Sequence, residues 1–163
     1  MAGQYNRWER FYNRLNLWFN GTVALSIIPF GIAFLDTQDE FPSPPIVDKS
    51  TTLGLQIVLS LIVAVVIWFG LHYSKKKLKA IPDGEIETKL QSYLTIKMRS
   101  FFILEIGAVL SVVGLYLTKD HLFTGLYLVV MFVFSLTRPT FEKISSDIRV
   151  SQKFLTEWGK EEN

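Results

Sequence analysis

Residues 53–73 read LGLQIVLSLIVAVVIWFGLHY, and Lys75, Lys76 and Lys77 follow after a single serine. The stretch contains no Asp, Glu, Lys or Arg, and as an α-helix rising about 1.5 Å per residue it would be about 30 Å long. That length matches the hydrocarbon thickness of a bilayer, so the stretch predicts a transmembrane helix. Because lysines are retained on the cytoplasmic side of membranes, the cluster predicts that this helix ends in the cytoplasm.

Three further stretches have the length and apolar composition of membrane helices. Together with the first they predict four spans, at about 15–35, 52–73, 100–118 and 121–137. Pro29 lies within the first span, where a kink is expected because neighbouring helices satisfy the freed backbone groups. The sequence therefore predicts an all-α, polytopic membrane protein. Its four transmembrane helices are expected to form an antiparallel bundle over residues 1–138, with cytoplasmic amphipathic helices attached.

The distribution of basic residues predicts the orientation of the spans. Fifteen of the seventeen lysines and arginines lie before the first span, in the loop 74–99 or after residue 137. The loop 36–51 instead carries four acidic residues and one lysine. Since an excess of Lys and Arg marks cytoplasmic segments, we expect both termini in the cytoplasm, with a bacterial inner membrane as the host. The net charge of +2 is too small to favour nucleic acid as a partner.

Three cytoplasmic segments are expected to be amphipathic. Residues 1–14 mix arginines with aromatic side chains, which suits the headgroup layer; a disordered basic tail is the alternative. The apolar stripe of residues 85–98 predicts a helix that lies on the membrane surface or continues into the third span. Residues 139–163 predict a C-terminal helix that docks on lipid, on the second-loop helix or on a partner protein. Its docking residues are Phe141, Ile144, Ile148, Leu155 and Trp158.

Glu105 is the only carboxylate within a predicted span. It lies roughly 7–8 Å beyond the inner boundary, and an ionised carboxylate at the centre of a span costs about 2.5–3.5 kcal/mol to insert. We therefore expect Glu105 to be paired, protonated or exposed to water. Candidate partners are Asn20 at a similar depth, Arg138 reaching inward from the end of the fourth span, and Ser135 one turn deeper than Arg138. Three interpretations stay open: a proton- or ion-responsive site, contact with a lipid headgroup, and a structural pair that holds the third span against its neighbours.

Two other groups of residues have a predicted physical role. Gly107, Ser111 and Gly114 follow each other at spacings of four and three, which allows another helix to approach closely, either inside the bundle or in a homo-oligomer. The second loop carries a cluster of lysines that topology alone explains. Their attraction to anionic lipid headgroups follows as a by-product. These lysines are Lys75, Lys76, Lys77 and Lys79.

The sequence offers little chemistry for catalysis. The absence of cysteine excludes disulfides, thiol nucleophiles and Cys-ligated metals. His72 and His121 fall at opposite ends of the predicted bundle, about 30 Å apart, too far to share a metal or a haem. No nucleophile motif or phosphate-binding loop is present. We therefore expect no metal and no cofactor. Of the three hypotheses for the function of this protein, an enzyme acting on lipid is the weakest, and the other two follow.

The first hypothesis is a non-catalytic assembly or accessory subunit that works through its helical bundle and cytoplasmic amphipathic segments. Its expected partners are the lipid bilayer and either other membrane proteins or a second copy of the chain. The alternative is a small transporter or channel subunit, alone or as a homo-oligomer, that uses Glu105 as a proton- or cation-responsive site. A transporter should show an ion-dependent flux in liposomes, whereas an assembly subunit should co-purify with other proteins.

Overall fold

The computed structural model describes residues 7–40 and 43–159, and within these ranges the chain is all-helical, without strands. The prediction of an all-α chain is therefore confirmed. The first six residues of the expected N-terminal amphipathic segment and the last four of the C-terminal one lie outside the described residues. The helices are α1 (Arg7–Gln38), α2 (Lys49–Lys79), α3 (Ile86–Thr118), α4 (His121–Thr137), α5 (Phe141–Ile148) and α6 (Gln152–Trp158).

Several of these helices have the composition of membrane spans. α1, α2 and α3 are each long and apolar enough to cross a bilayer. α4 has 17 residues and is long and apolar enough only when it is counted together with α5, from which it is bent by 68°. The described part of the chain thus holds three helices that can cross a membrane, or four if the bent pair is one span. The structure is consistent with a membrane protein.

Three helices extend beyond the apolar stretches at the basic end, and α2 does so by continuing to Lys79. α1 begins at Arg7, passes through Pro29 without ending, and includes the arginines expected to precede the first span. α3 begins at Ile86, so the amphipathic second-loop stretch continues directly into the third apolar stretch. Continuation into the third span was one of the two arrangements predicted for this stretch, the other being a separate helix on the membrane surface. The chain breaks between α2 and α3 at Pro82 and Gly84, because proline cannot continue a helix and glycine weakens one.

α3 is the helix on which the others pack. It contacts α1, α2 and α4, whereas α1 and α2 do not contact each other in the described residues. In the most apolar stretch of α3, 56% of the residues are buried, compared with 11% in α2. The helix with the clearest transmembrane sequence therefore lies at the edge of the structure. Hydropathy measures compatibility with lipid, and contact with neighbouring helices is a separate property.

Small residues let α2 approach α3. A Cβ added to Gly70 would lie 3.3 Å from the Leu104 side chain, and the Ser100 hydroxyl donates to the Gly70 carbonyl at 3.2 Å. Further along, Gly107 faces Val63. Residue numbers rise along α3 as they fall along α2, so these two helices are antiparallel.

A turn of two residues joins α3 to α4 and ties the helix ends together. Lys119 adopts a left-handed conformation with φ of 56°, and the Asp120 carboxylate caps α4 by accepting from the Leu122 N–H at 2.8 Å. The Lys119 ammonium forms an ion pair with Asp36 at the end of α1. Gln56 of α2 donates to the Asp120 carboxylate at 2.7 Å. All four long helices are therefore linked at this end.

The segment after residue 137 folds back as two short helices. Thr140 caps α5 and Ser151 caps α6, each by accepting a backbone N–H with its hydroxyl. Between them Arg149 has a φ of 56°, the left-handed conformation that commonly ends a helix. Because of this turn, the stretch expected to form one amphipathic helix over 139–163 is two helices in the described residues.

One face of α3 is left without a neighbouring helix. α4 contacts α1, α2 and α3, and so covers one side of the three. On the other side, the α3 side chains are 42–54% exposed and follow each other at spacings of four and three. We call this stripe the uncovered face; it consists of Phe102, Ile106, Val109, Val113 and Tyr116.

Candidate functional site

Three helices bring buried polar side chains together. The Ser26 hydroxyl of α1 donates to Glu105 Oε2 of α3 at 3.4 Å, a long and weak hydrogen bond. Tyr127 of α4 lies near both residues. Glu105 is 4% exposed, Tyr127 2% and Ser26 0%. These three residues, which we call the Glu105 cluster, are the polar centre of the apolar part of the structure.

The Glu105 cluster has unused hydrogen-bonding capacity. Within the described residues, Glu105 Oε1 and the Tyr127 hydroxyl have no hydrogen-bond partner. No lysine or arginine in these residues lies within ion-pair distance of Glu105. Burying polar atoms without partners costs free energy. The cluster is therefore either a strained packing feature or a place where a proton or a small polar ligand is held.

Aromatic packing holds the tyrosine of the cluster in place. Phe30 stacks on Tyr127 with ring centroids 3.8 Å apart and planes inclined by 7°. Phe34, one turn further along α1, stacks on Phe30 at 5.7 Å. Stacking of this kind orients a ring as well as burying it. The Tyr127 hydroxyl is thus directed by α1 as much as by its own helix.

The partners predicted for Glu105 lie elsewhere. Asn20, Ser135 and Arg138 are exposed, and the hydrogen-bond partner of Glu105 in the described residues is Ser26. Depth in the membrane can be estimated from sequence, but the rotation of a helix about its axis cannot be estimated from depth. A usable signal was the spacing of α1, in which Ser26 continues the buried series Leu15, Phe19 and Thr22 at intervals of four and three.

The small residues of α3 lie inside the described helices. Ser111 is fully buried and donates to the Gly107 carbonyl at 2.9 Å. Gly107 faces α2 and α4, and Gly114 faces the Phe123 ring of α4. Of the two alternatives, close approach within one chain or in a homo-oligomer, the structure therefore uses these residues for the first.

The predicted docking residues of the tail pack on the chain itself. Ile144, Ile148 and Leu155 are buried, and α5 contacts α2 and α3 while α6 contacts α1. Phe141 packs edge-on against Trp8 with ring centroids 4.9 Å apart. Trp158 lies beneath the Arg7 guanidinium at 5.9 Å. The stripe is thus covered by the basic ends of α1, α2 and α3, which include the second-loop helix.

A partly buried ion pair joins the tail to α3. Lys97 Nζ lies 3.8 Å from Asp147 Oδ2 and 5.5 Å from the centre of the Tyr93 ring. Burial lowers the pKa of the Lys97 ammonium and raises the pKa of the Asp147 carboxyl, because loss of water penalises both charged forms. Each charge partly offsets the shift of the other. We call Tyr93, Lys97 and Asp147 the tail latch.

The lysine cluster after the second apolar stretch is exposed at the end of α2. Next to it, His72 stacks on Trp68 with ring centroids 5.3 Å apart. Among the described residues, no group of three His, Asp or Glu side chains is close enough to hold a metal ion. The exposed lysines are Lys75, Lys76, Lys77 and Lys79.

No protein family, curated protein or solved structure matches this chain. The class that the fold itself defines is an all-helical protein with three or four helices apolar enough to cross a membrane. Any narrower assignment has to be argued from the Glu105 cluster, the uncovered face and the tail.

Proposed function

We propose that α1, α2, α3 and α4 each cross the membrane and that both termini lie in the cytoplasm. The 17 residues of α4 meet the lower limit for a spanning helix. Arg7 near the start of α1 pairs with Glu87 near the start of α3 at 3.0 Å, and α6 contacts α1. Both described chain ends are therefore at one end of the structure, which is also where fourteen of the sixteen described lysines and arginines lie.

We infer that the protein works as a non-catalytic assembly or accessory subunit. The uncovered face carries this inference, because it is an apolar surface on the helix that α1, α2 and α4 all contact, and no helix of the described residues lies over it. α1 and α2 both pack on α3 without contacting each other, so they leave a groove along α3 that a further helix can fill. The expected partner is therefore a transmembrane helix of another membrane protein.

The border of the uncovered face supports the same function. Trp18 of α1 packs edge-on against Phe102 with ring centroids 6.3 Å apart. The α1 side of the face is therefore walled by a large aromatic ring, while α3 supplies the floor. The tail is not needed as the docking surface in this proposal, since its apolar residues are already covered by the chain.

The test of the accessory role is a change of shape that keeps the surface apolar. Val109→Trp on the uncovered face should reduce recovery of the partner about tenfold, because overpacking a helix interface costs about 1–3 kcal/mol. The matched control is Val129→Trp, which changes an exposed valine of α4 in the same way. Recovery is measured by pull-down from membranes in mild detergent, followed by quantitative mass spectrometry.

A photo-reactive residue at Ile106 identifies what contacts the face. We expect a cross-link to a transmembrane segment of a second protein, and no such product from the same group at Phe132 on the outer surface of α4. Cross-links to lipid alone from both positions would contradict the accessory role. A cross-linked product with twice the chain mass of 18.7 kDa would instead indicate that the partner is a second copy of this chain.

The Glu105 cluster favours a second candidate, a small transporter or channel subunit. The supporting observation is the pair of buried atoms without partners, Glu105 Oε1 and the Tyr127 hydroxyl. Under this proposal, purified protein in liposomes conducts protons or cations, and Glu105→Gln abolishes the flux because the amide keeps the shape of the side chain but cannot ionise. Glu142→Gln, an exposed change on α5, is the control. Absence of flux from the unaltered protein would contradict the candidate.

A further inference from the structure

Two neighbouring cavities lie against α3 at the basic end of the structure, past the Phe102 end of the uncovered face. The first has a volume of about 280 Å³ and lies among α1, α3 and α6. The second has a volume of about 440 Å³ and lies between α2 and α3. Gln91 lines both, so the two cavities are neighbours. The residues that matter for their chemistry are Arg10, Arg14 and Glu87 in the first, and Thr95 and Arg99 in the second.

The charge of these cavities is positive. Arg10, Arg14 and Arg99 are exposed, and none forms an ion pair with an acidic side chain of the described residues. Glu87, the one acidic residue lining the first cavity, is already paired with Arg7 at 3.0 Å. Arg10 and Arg14 stand one turn apart on α1, where like charges repel. An anion bound between the helices would relieve this repulsion.

The position of the cavities indicates an amphiphilic ligand. Arg99 is the last basic residue before the apolar part of α3. Gln91, Thr95 and Arg99 follow each other at spacings of four, and Phe102, the first residue of the uncovered face, comes three residues after Arg99 on the same side of α3. A single face of α3 therefore changes from cationic and polar to apolar at the expected membrane surface. A phospholipid has the same arrangement, with its phosphate at the surface and its acyl chains below.

We propose that the two cavities bind the headgroup of an anionic phospholipid. Arg10, Arg14 and Arg99 contact its phosphate and glycerol oxygens, since guanidinium groups match phosphate with paired hydrogen bonds. Gln91 and Thr95 supply further polar contacts between them. The inference rests on the membrane placement in the proposed function and is independent of the accessory role, because the cavities lie beyond the apolar stripe.

The experiment measures bound lipid on the full chain by native mass spectrometry in mild detergent, with phosphatidylglycerol as probe and phosphatidylcholine as the zwitterionic reference. In the variant Arg10→Gln/Arg14→Gln/Arg99→Gln, affinity for phosphatidylglycerol should fall about tenfold or more, since each basic residue near an anionic headgroup contributes to its binding. The comparison variant, Lys75→Gln/Lys76→Gln/Lys79→Gln, removes the same number of charges from α2, whose lysines attract anionic headgroups by general surface charge alone, so its affinity should fall several times less than that of the arginine variant. Binding of phosphatidylcholine should be the same in all three proteins.

Three results would overturn the proposal. Equal losses in the arginine and lysine variants would show general attraction by a basic surface. Equal affinity of the unaltered protein for the two lipids would show no headgroup selection. Displacement of phosphatidylglycerol by inorganic phosphate at equal concentration would show a site for the free anion. If the arginine variant does not fold, Arg10→Gln/Arg14→Gln against Lys75→Gln/Lys76→Gln makes the same comparison.

Discussion

Replacement of Gly114 by valine is expected to destabilise the packing of α3 on α4 by about 3 kcal/mol or more, the upper range for overpacked cores. A Cβ at this position would lie 2.8 Å from Cγ of Phe123 and closer still to the ring edge. Phe123 is fully buried, and its Cγ is only two bonds from the backbone. The ring therefore cannot move aside unless α4 moves with it.

The control is Gly125→Val on α4, where an added Cβ meets no atom within 4 Å. Both changes place a β-branched residue in a helix and carry the same propensity effect, so the difference between them isolates the clash. Thermal unfolding in detergent, followed by circular dichroism, gives the two stabilities. Equal losses in the two variants would contradict close packing at Gly114.

A second change tests the same contact from α4. Phe123→Ala alone is expected to cost about 3–5 kcal/mol through the cavity it leaves. Combined with Gly114→Val it should cost less than the sum of the two, because the valine fills part of the space that the ring vacates. If the loss of unfolding free energy in the double variant equalled the sum of the two single losses, Gly114 and Phe123 would not be in contact.

Removal of the carboxylate of the tail latch is the second change with a large expected effect. Asp147→Ala leaves the Lys97 ammonium buried without its partner, and Lys143 adds a repulsive charge nearby. Breaking a buried ion pair in this way costs about 3–5 kcal/mol. We expect about 3 kcal/mol, the lower end, because the Asp147 side chain is 31% exposed and the pair is only partly buried.

The opposite change should have little effect. Lys97→Met removes the buried cation and keeps an apolar stem of similar length, while Asp147 retains contact with water. The expected loss is below about 1 kcal/mol, since an apolar replacement of a buried charge is often neutral. The asymmetry between the two variants is the prediction, and it follows from which partner is the more deeply buried.

Limited trypsin digestion measures the opening of the tail, which carries cleavage sites at Lys143, Arg149 and Lys153. Cleavage of the Asp147→Ala variant should be about a hundredfold faster than that of the unaltered chain, the factor that corresponds to about 3 kcal/mol. The double variant Lys97→Met/Asp147→Ala should regain most of the resistance. If Asp147→Ala and Lys97→Met were cleaved by trypsin at equal rates, the pair would stabilise the tail by mutual attraction alone. The burial of an unpaired Lys97 ammonium would then not be the cause of the opening.

Much of the local structure could be predicted from the sequence. The fourth apolar stretch, 121–137, coincides with α4 (His121–Thr137), and Glu105 is buried within an apolar helix. Both features depend on the hydropathy and helix propensity of contiguous residues, which can be read from the chain itself. The break of the tail at Arg149 was missed, because a left-handed arginine has no strong sequence signal.

The neighbours of Glu105 could not be predicted from its depth. Asn20 and Ser135 lie at suitable heights but are exposed, whereas Ser26 and Tyr127 form the cluster. Which residue faces Glu105 depends on the rotation and tilt of α1 and α4. Those are set by packing of aromatic rings such as Phe30 on Tyr127, an interaction between helices that are far apart in sequence.

The sequence by itself determined that the chain is helical, where its long apolar helices run and at which end its positive charge collects, because each is a sum over neighbouring residues. Only the tertiary structure decided that α3 is the central helix, that α2 lies at the edge and that one face of α3 stays uncovered. These depend on where Gly70, Gly107 and Gly114 let helices approach, and close approach is a property of two surfaces together.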